Sequence, residues 1–305
     1  MLCTISENSC QYYGDYQQER KKNPRFREYN CEEHCSAWED QSMTKESSYT
    51  AKLPGPDGIY PYTAEEDAIW GELYQRQMKL LTNMACREYL DGVKTLGLKA
   101  DKVPQLLDVN RRLNETTGFG VEGVPALIPP SRFYELLSQG KFPLATFLRR
   151  REHIDYIEEP DLFHEVFGHC PLLTNQSYAN FVRHFGETAV RLGKGYSWHL
   201  FRIFWFTVEF GLINTPEGRR CFGAGIVSSP SEAKAAMEGT ACEFRPFDLL
   251  SVLRTPYRID IVQPIYYVID SFADLEAIVE QDIEGMILKA KSLGDFAPTF
   301  EAKAS

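Results

Sequence analysis

The sequence predicts a mainly α-helical α+β fold, with small β elements and long ordered loops, in a single folded domain. Three observations predict it. Hydrophobic residues make up 43% of the 305 and aromatic residues 13%, enough to fill a sizeable core. Apolar residues recur at helical spacing through most of the segments between breakers. Strand-like pieces are few and short, and the chain has no internal repeat or low-complexity tract.

Residues 1–50 are polar and charged without sustained periodicity, as in "QQERKKNPRFREYN". They are expected to form an extension, partly disordered or draped over the surface, with the folded domain occupying 51–305. "PGPDGIYPY" at 54–62 marks the entry to that domain. Thr63 then opens a capping box with Glu66, and the helix behind it carries Ile69, Trp70, Leu73, Leu80, Leu81 and Met84 on one face. "VPQLLDVNRRL" suits a second helix with Pro104 in its first turn. "GFGVEG", Gly118 to Gly123, fits the dinucleotide fingerprint, but no strand precedes it and "VPALIPP" follows it, so a Rossmann site is rejected. Ser131 is expected to cap the short helix "RFYELLSQ", which Gly140 ends. Further helices are expected at 177–192, 198–212, 231–238 and 271–291, and strands at 145–149, 222–228 and 258–268.

A formal net charge of −10 argues against nucleic acid or an anionic membrane as the main partner and leaves a small molecule. The start, "MLCTISENSC", lacks the basic and apolar regions of a signal peptide, and no stretch approaches the roughly 18 apolar residues of a membrane span, so a cytoplasmic protein is expected. Of the eight cysteines, Cys86, Cys170, Cys221 and Cys242 lie in apolar surroundings and read as reduced core residues. Cys3, Cys10, Cys31 and Cys35, with His34 inside "CEEHC", fit no standard zinc spacing and read as incidental thiols.

The chemistry concentrates in "PDLFHEVFGHCP", residues 160–171. A zinc protease writes H-E-x-x-H, two histidines four apart with the glutamate as general base; here His164 and His169 are five apart and Glu165 follows the first. On an ideal α-helix a five-residue step turns through about 140°, against about 40° for four. Both imidazoles reach one ion only if the helix starts, bends or ends between them. Pro160 and Asp161 look like a helix start, and Gly168 gives local latitude. Taken alone, the pair reads better as two core histidines. Glu209 changes the balance, because "FWFTVEFGL" is otherwise almost wholly apolar and a buried carboxylate needs a cation or a proton. Two histidines and one carboxylate form the facial triad of non-haem Fe(II) oxygenases. Pairing of Glu209 with Arg202 or another arginine is the bland alternative, and a zinc hydrolase with Glu165 as base is the alternative from another class.

"EPDLFHEVFGHCPLLT", "FWFTVEFGL" and "GAGIVSS", in that order, resemble the pterin-dependent aromatic amino acid hydroxylases, most closely the single-domain bacterial type that acts on phenylalanine. The similarity runs from about Pro54 to about Glu280 and implies a catalytic domain of that type. It implies that His164, His169 and Glu209 hold Fe(II), and that a tetrahydropterin stacks on Phe133 with Ile128, Glu165 and Phe204 nearby. The substrate carboxylate falls to Arg149, in "FLRRRE", steadied by Asp161; a guanidinium grips a carboxylate with two hydrogen bonds. Ser228 and Gly225 fall at the substrate pocket, and Trp205 and Pro160 around the substrate ring. Trp205 stands where tryptophan-hydroxylating members carry Phe, and Ile259 where tyrosine hydroxylases tend to carry an acid. The implied reaction is therefore mono-oxygenation of L-phenylalanine to L-tyrosine with O₂, with tyrosine or tryptophan as alternative substrates. Phe204 replaces a tyrosine of animal members, and Pro130 a serine of the pterin loop. The chain has no room for the regulatory domain of the animal enzymes, and "KSLGDFAPTFEAKAS" lacks the long heptad helix that assembles them, so a monomer is expected.

Overall fold

The computed structural model describes residues 49–124 and 128–301. The extension read at 1–50, with its cysteines and His34, lies almost wholly outside the described residues.

Helix α1 (Ala64–Leu81) begins as the sequence predicts: the Thr63 hydroxyl accepts from the Glu66 N–H, and the Glu66 carboxylate accepts from the Thr63 N–H at 2.8 Å. Ile69, Trp70, Leu73 and Leu81 are buried on its inner face, while Leu80 and Met84 are only half-buried. A helix that the sequence reading passes over, α2 (Arg87–Thr95), is too short to show a convincing period, yet it turns Tyr89 and Val93 inward. Helix α3 (Leu106–Thr117) starts after Pro104 rather than around it, and ends at Gly118, whose φ of 67° is the left-handed conformation that glycine adopts without penalty. The chain then enters β1 (Gly120–Val124). "GFGVEG" thus closes a helix and opens a strand, the reverse of the dinucleotide-binding order.

Helix α4 (Pro130–Ser138) starts two residues earlier than expected, with Pro130 at its first position and Pro129 as the cap; Ser131 lies inside the first turn and does not cap it. Strand β2 (Lys141–Ala145) pairs in parallel with β1, so the strand expected at 145–149 ends where it was expected to begin. Helices α5 (Gln176–Leu192) and α6 (Ser197–Phe204) follow, and after a π-helical turn at Trp205–Glu209 comes the hairpin of β3 (Leu212–Thr215) and β4 (Gly218–Cys221). The segment 222–228 is not a strand. Its β-branched Ile226 and Val227 favour one, but packing overrides propensity and Ala224–Val227 forms the short helix α7. Helix α8 (Pro230–Glu238) is capped by Ser229.

Strand β5 (Glu243–Pro246), helix α9 (Leu249–Arg254) and the fully buried β6 (Ile265–Ile269) complete the larger sheet, ordered β4-β3-β6-β5 with only the β3–β4 pair antiparallel. Only the end of the strand expected at 258–268 is in a ladder. The helix expected at 271–291 is two, α10 (Phe272–Val279) and α11 (Ile283–Leu293), because the Asp282 side chain accepts from the Gly285 N–H and restarts the helix.

Cys86, Cys170 and Cys221 are buried and Cys242 half-buried, and all four are free thiols, as expected. Among the described residues no helix is long and apolar enough to cross a membrane.

Candidate active site

The five-residue step between the histidines is resolved by the helix type. Phe163–His169 is π-helical, hydrogen bonding at a spacing of five, so residues five apart come round to the same side. The bend that the sequence analysis requires is therefore a wider helical turn, not a break. Gly168 lets this turn lie against α7: a Cβ there would come within 3.1 Å of the Ala224 Cβ. Trp205–Glu209 is also π-helical, closed by the Phe210 N–H reaching back five residues to the Trp205 carbonyl at 2.9 Å. In that turn the Thr207 hydroxyl bonds the Ile203 carbonyl at 2.6 Å, taking the acceptor that an α-helix reserves for a backbone N–H.

The two turns bring three donor groups together. His164 Nε2 and His169 Nε2 lie 3.2 Å apart. Glu209 Oε1 is 3.2 Å from His169 Nε2, and Oε2 is 3.6 Å from His164 Nε2. Burial pushes the His164 imidazole down to about 4 against the pull of Glu209, so at neutral pH it carries a lone pair, the form in which imidazole binds metal. His164 Nδ1 is 2.9 Å from Ser228 Oγ, a contact that fixes the ring and leaves Nε2 facing the cluster. Burial works against the Glu209 anion, but His169, His164 and the Gly225 N–H outweigh it and hold the carboxyl below its ordinary range. Arg202 is not the partner of Glu209: it is committed to Asp295, with hydrogen bonds of 2.7 and 2.6 Å, and to the Leu253 carbonyl. Glu165 also faces His169, but at 3.9 Å it is the more distant carboxylate. Burial, then the charges of Glu209 and Asp161, push its carboxyl well up, which favours the neutral, proton-donating form.

Arg149 separates cleanly from its neighbours. Its Nε and Nη2 donate to Asp161 Oδ2 and Oδ1 at 2.8 and 2.9 Å, and its backbone N–H adds a third bond to Oδ2. Asp161 Oδ1 also accepts from the His164 N–H at 3.1 Å. Asp161 is therefore more than a helix cap: it ties Arg149 to the first histidine of the cluster. Arg150 and Arg151 are exposed and pair with Glu152 and Glu72. Among the described residues Arg149 Nη1 makes no hydrogen bond, so the outer edge of the fork is available for another carboxylate.

An aromatic wall stands on the other side. Phe142 packs 4.5 Å from the His169 ring, and Phe204 6.2 Å from it. The half-buried Phe133 meets the edge of Phe204 at 5.2 Å. Ile128 is half-buried two residues before α4, and Pro160 immediately precedes Asp161; each joins the group only through its chain neighbours. Trp205 lies between Tyr257 and Phe210, each centroid 4.5 Å away. Its Nε1–H donates to Gln263 Oε1 at 3.0 Å. Neither Tyr257 nor Gln263 stands out in the sequence; the signal for the latter is a buried indole, which needs an acceptor. Ile259 is 55% exposed, on the outer surface of the 258–262 loop.

Comparison with known proteins gives consistent matches over most of the chain. The profile of the biopterin-dependent aromatic amino acid hydroxylase family matches residues 18–288, wider at both ends than the stretch that the motifs span. The phenylalanine-4-hydroxylase of Pseudomonas aeruginosa is 43% identical over 259 residues, covering 85% of this chain and 98% of that one. The apo structure of the cold-active phenylalanine hydroxylase from Colwellia psychrerythraea superposes with a TM-score of 0.81 at 46% identity, over 82% of this chain and 97% of that one. The Chromobacterium violaceum phenylalanine hydroxylase with bound oxidised Fe(III) gives 0.77 at 39% identity, over 85% and 94%.

Proposed function

The chain belongs to the biopterin-dependent aromatic amino acid hydroxylases, and we propose that it converts L-phenylalanine to L-tyrosine with O₂, a tetrahydropterin and a non-haem Fe(II). The observation that carries the site assignment is the convergence of His164, His169 and Glu209, with donor atoms 3.2 to 3.6 Å apart. Two imidazoles and one carboxylate, with His169 buried and His164 and Glu209 half-buried, fit a divalent iron that needs free positions. Iron and pterin together supply the activation of O₂.

The chain's own residues bind, aim and shield. Arg149 grips the substrate carboxylate with the edge of its fork that Asp161 leaves open. Asp161, through its bond to the His164 N–H, keeps that grip in register with the metal. Ser228 holds the His164 ring, and the Gly225 N–H holds the Glu209 carboxylate. Pro160 and Trp205 bound the substrate ring. Phe133 offers a face to the pterin, with Ile128 and Phe204 beside it, and Glu165 exchanges hydrogen bonds with the pterin directly or through water. The aromatic lining excludes bulk water from the reacting atoms. We assign this work to residues 51–305, acting as a cytoplasmic monomer, with 1–50 unassigned.

The test is product analysis after anaerobic loading with Fe(II), then addition of tetrahydropterin, oxygen and each aromatic amino acid in turn. Tyrosine from phenylalanine, dependent on iron and pterin and lost in His164→Ala, is the expected result. Turnover of tryptophan or tyrosine alone would keep the family and overturn the substrate.

A further inference from the structure

The Nε1–H bond of Trp205 ends in a buried polar network. An indole nitrogen only donates, so it dictates that the Gln263 amide presents oxygen. The Gln263 Nε2 group then donates to two carbonyls, of Arg258 at 2.9 Å and of Ile261 at 2.8 Å. Flipping the amide would set a donor against the indole N–H and an oxygen against both carbonyls, so one orientation alone satisfies the site. The Gln263 backbone N–H donates to Glu232 Oε1 at 3.0 Å, and the Tyr266 hydroxyl donates to the same oxygen at 2.7 Å. Gln263 is 2% exposed and Glu232 6%, so neither group has water as a substitute partner. Glu232 lies in the first turn of α8, four residues after Ser228, whose hydroxyl holds His164. One short stretch therefore anchors a candidate ligand imidazole and, through Gln263, the indole.

We propose that Gln263, anchored by Glu232, is a positioning residue that sets substrate preference: it fixes the plane of the Trp205 indole and with it the room left for the substrate ring. This rests on the reading of Trp205 as a wall of the substrate pocket. The acceptor is matched to an indole and not to any aromatic ring, because a phenylalanine at 205 would leave Gln263 Oε1 buried without a donor. Stacking on Tyr257 and the tilted contact with Phe210 limit where the ring lies, while the single directional bond limits its rotation between them.

The experiment is a double-mutant cycle on the iron-loaded enzyme with Gln263→Leu, Trp205→Phe and both. Four readouts are taken: kcat and KM for L-phenylalanine and L-tryptophan, tyrosine formed per pterin oxidised, anaerobic amino-acid binding by calorimetry, and melting temperature. Gln263→Leu is expected to lower the phenylalanine-to-tryptophan ratio of kcat/KM about five- to tenfold, the scale of one buried hydrogen bond, mainly through KM. In the Trp205→Phe background the same change is expected to leave the ratio where Trp205→Phe alone puts it. Equal losses for both substrates in both backgrounds, with a lowered melting temperature, would overturn the proposal and make Gln263 a structural residue only. A ratio unmoved by Trp205→Phe itself would remove Trp205 from the pocket wall, and the proposal with it, while leaving the hydroxylase reading intact. Should Gln263→Leu fail to fold, Tyr266→Phe, which removes one donor from Glu232 without opening a large cavity, is expected to shift the ratio about twofold in the same direction; no shift would count against the network.

Discussion

Replacing Asp161 with alanine removes the acceptor of four hydrogen bonds at once, three from Arg149 and one from the His164 N–H. Its side chain is fully buried and that of Arg149 is 9% exposed, so the guanidinium left behind has little water to turn to. Breaking a buried pair by deleting one partner costs about 3–5 kcal/mol. At roughly 2–4 °C per kcal/mol for a domain of this size, melting falls by about 6–20 °C. Asp161→Asn keeps the shape and one acceptor oxygen but loses the charge, and falls between alanine and wild type. Because Arg149 is then loose or turned away, KM for phenylalanine rises more than kcat falls, the signature of lost ground-state binding. Proton linkage adds a further check. Burial raises the Asp161 carboxyl, but the charge and hydrogen bonds of Arg149, with the His164 N–H, outweigh it and hold the group below its usual value. A depressed carboxyl adds stability above its unfolded value, near 3.9, and that stability is lost as pH falls through the lower folded value. The stability gap between wild type and Asp161→Asn is therefore widest at neutral pH and closes below about pH 4. Calorimetry, urea titration across pH and steady-state kinetics measure all three. An Asp161→Ala protein within about 1 kcal/mol of wild type, with an unchanged KM, would refute both the buried pair and its link to substrate.

Three other outcomes follow from the same geometry. Fe(II) at about a hundred times its dissociation constant stabilises the folded chain by about 2.7 kcal/mol, and differential scanning fluorimetry is expected to show that rise in wild type and none in His164→Ala. Ser228→Ala frees the His164 ring and lowers Fe(II) affinity about 10- to 100-fold, read by competition with a chelating dye, with little loss of melting temperature. Phe133→Ala removes a stacking face and raises the pterin KM about two- to tenfold, while the phenylalanine KM moves less.

Much of the fold and site was legible because local rules decided it. The Thr63–Glu66 capping box and the inner face of α1 depend on neighbours a few residues away, and the structure keeps them. Glu209 could be singled out as a charge in an apolar run, and the three motifs together pointed to a family that the comparisons show. Other elements were hidden for stated reasons. Helix α2 has nine residues, and α7 four, in a segment with strand propensity. Strands β3 to β5 are four residues each, and β3 and β5 pair with β6, distant in sequence.

What the sequence determined by itself was the inventory: which side chains carry charge or lone pairs inside apolar segments, and in what order. Tertiary structure decided their geometry. His164 and His169 face one point because the Phe163–His169 turn is π-helical, a state that packing of Gly168 against Ala224 allows and that an α-helical spacing rule cannot foresee. Of three adjacent arginines only Arg149 is buried, beside Asp161. Arg202 was removed from Glu209 by Asp295, 93 residues along the chain. Ser228 and Gln263 took their places for the same reason. A hydrogen bond between residues far apart in sequence is fixed by the path of the chain, and no local period records it.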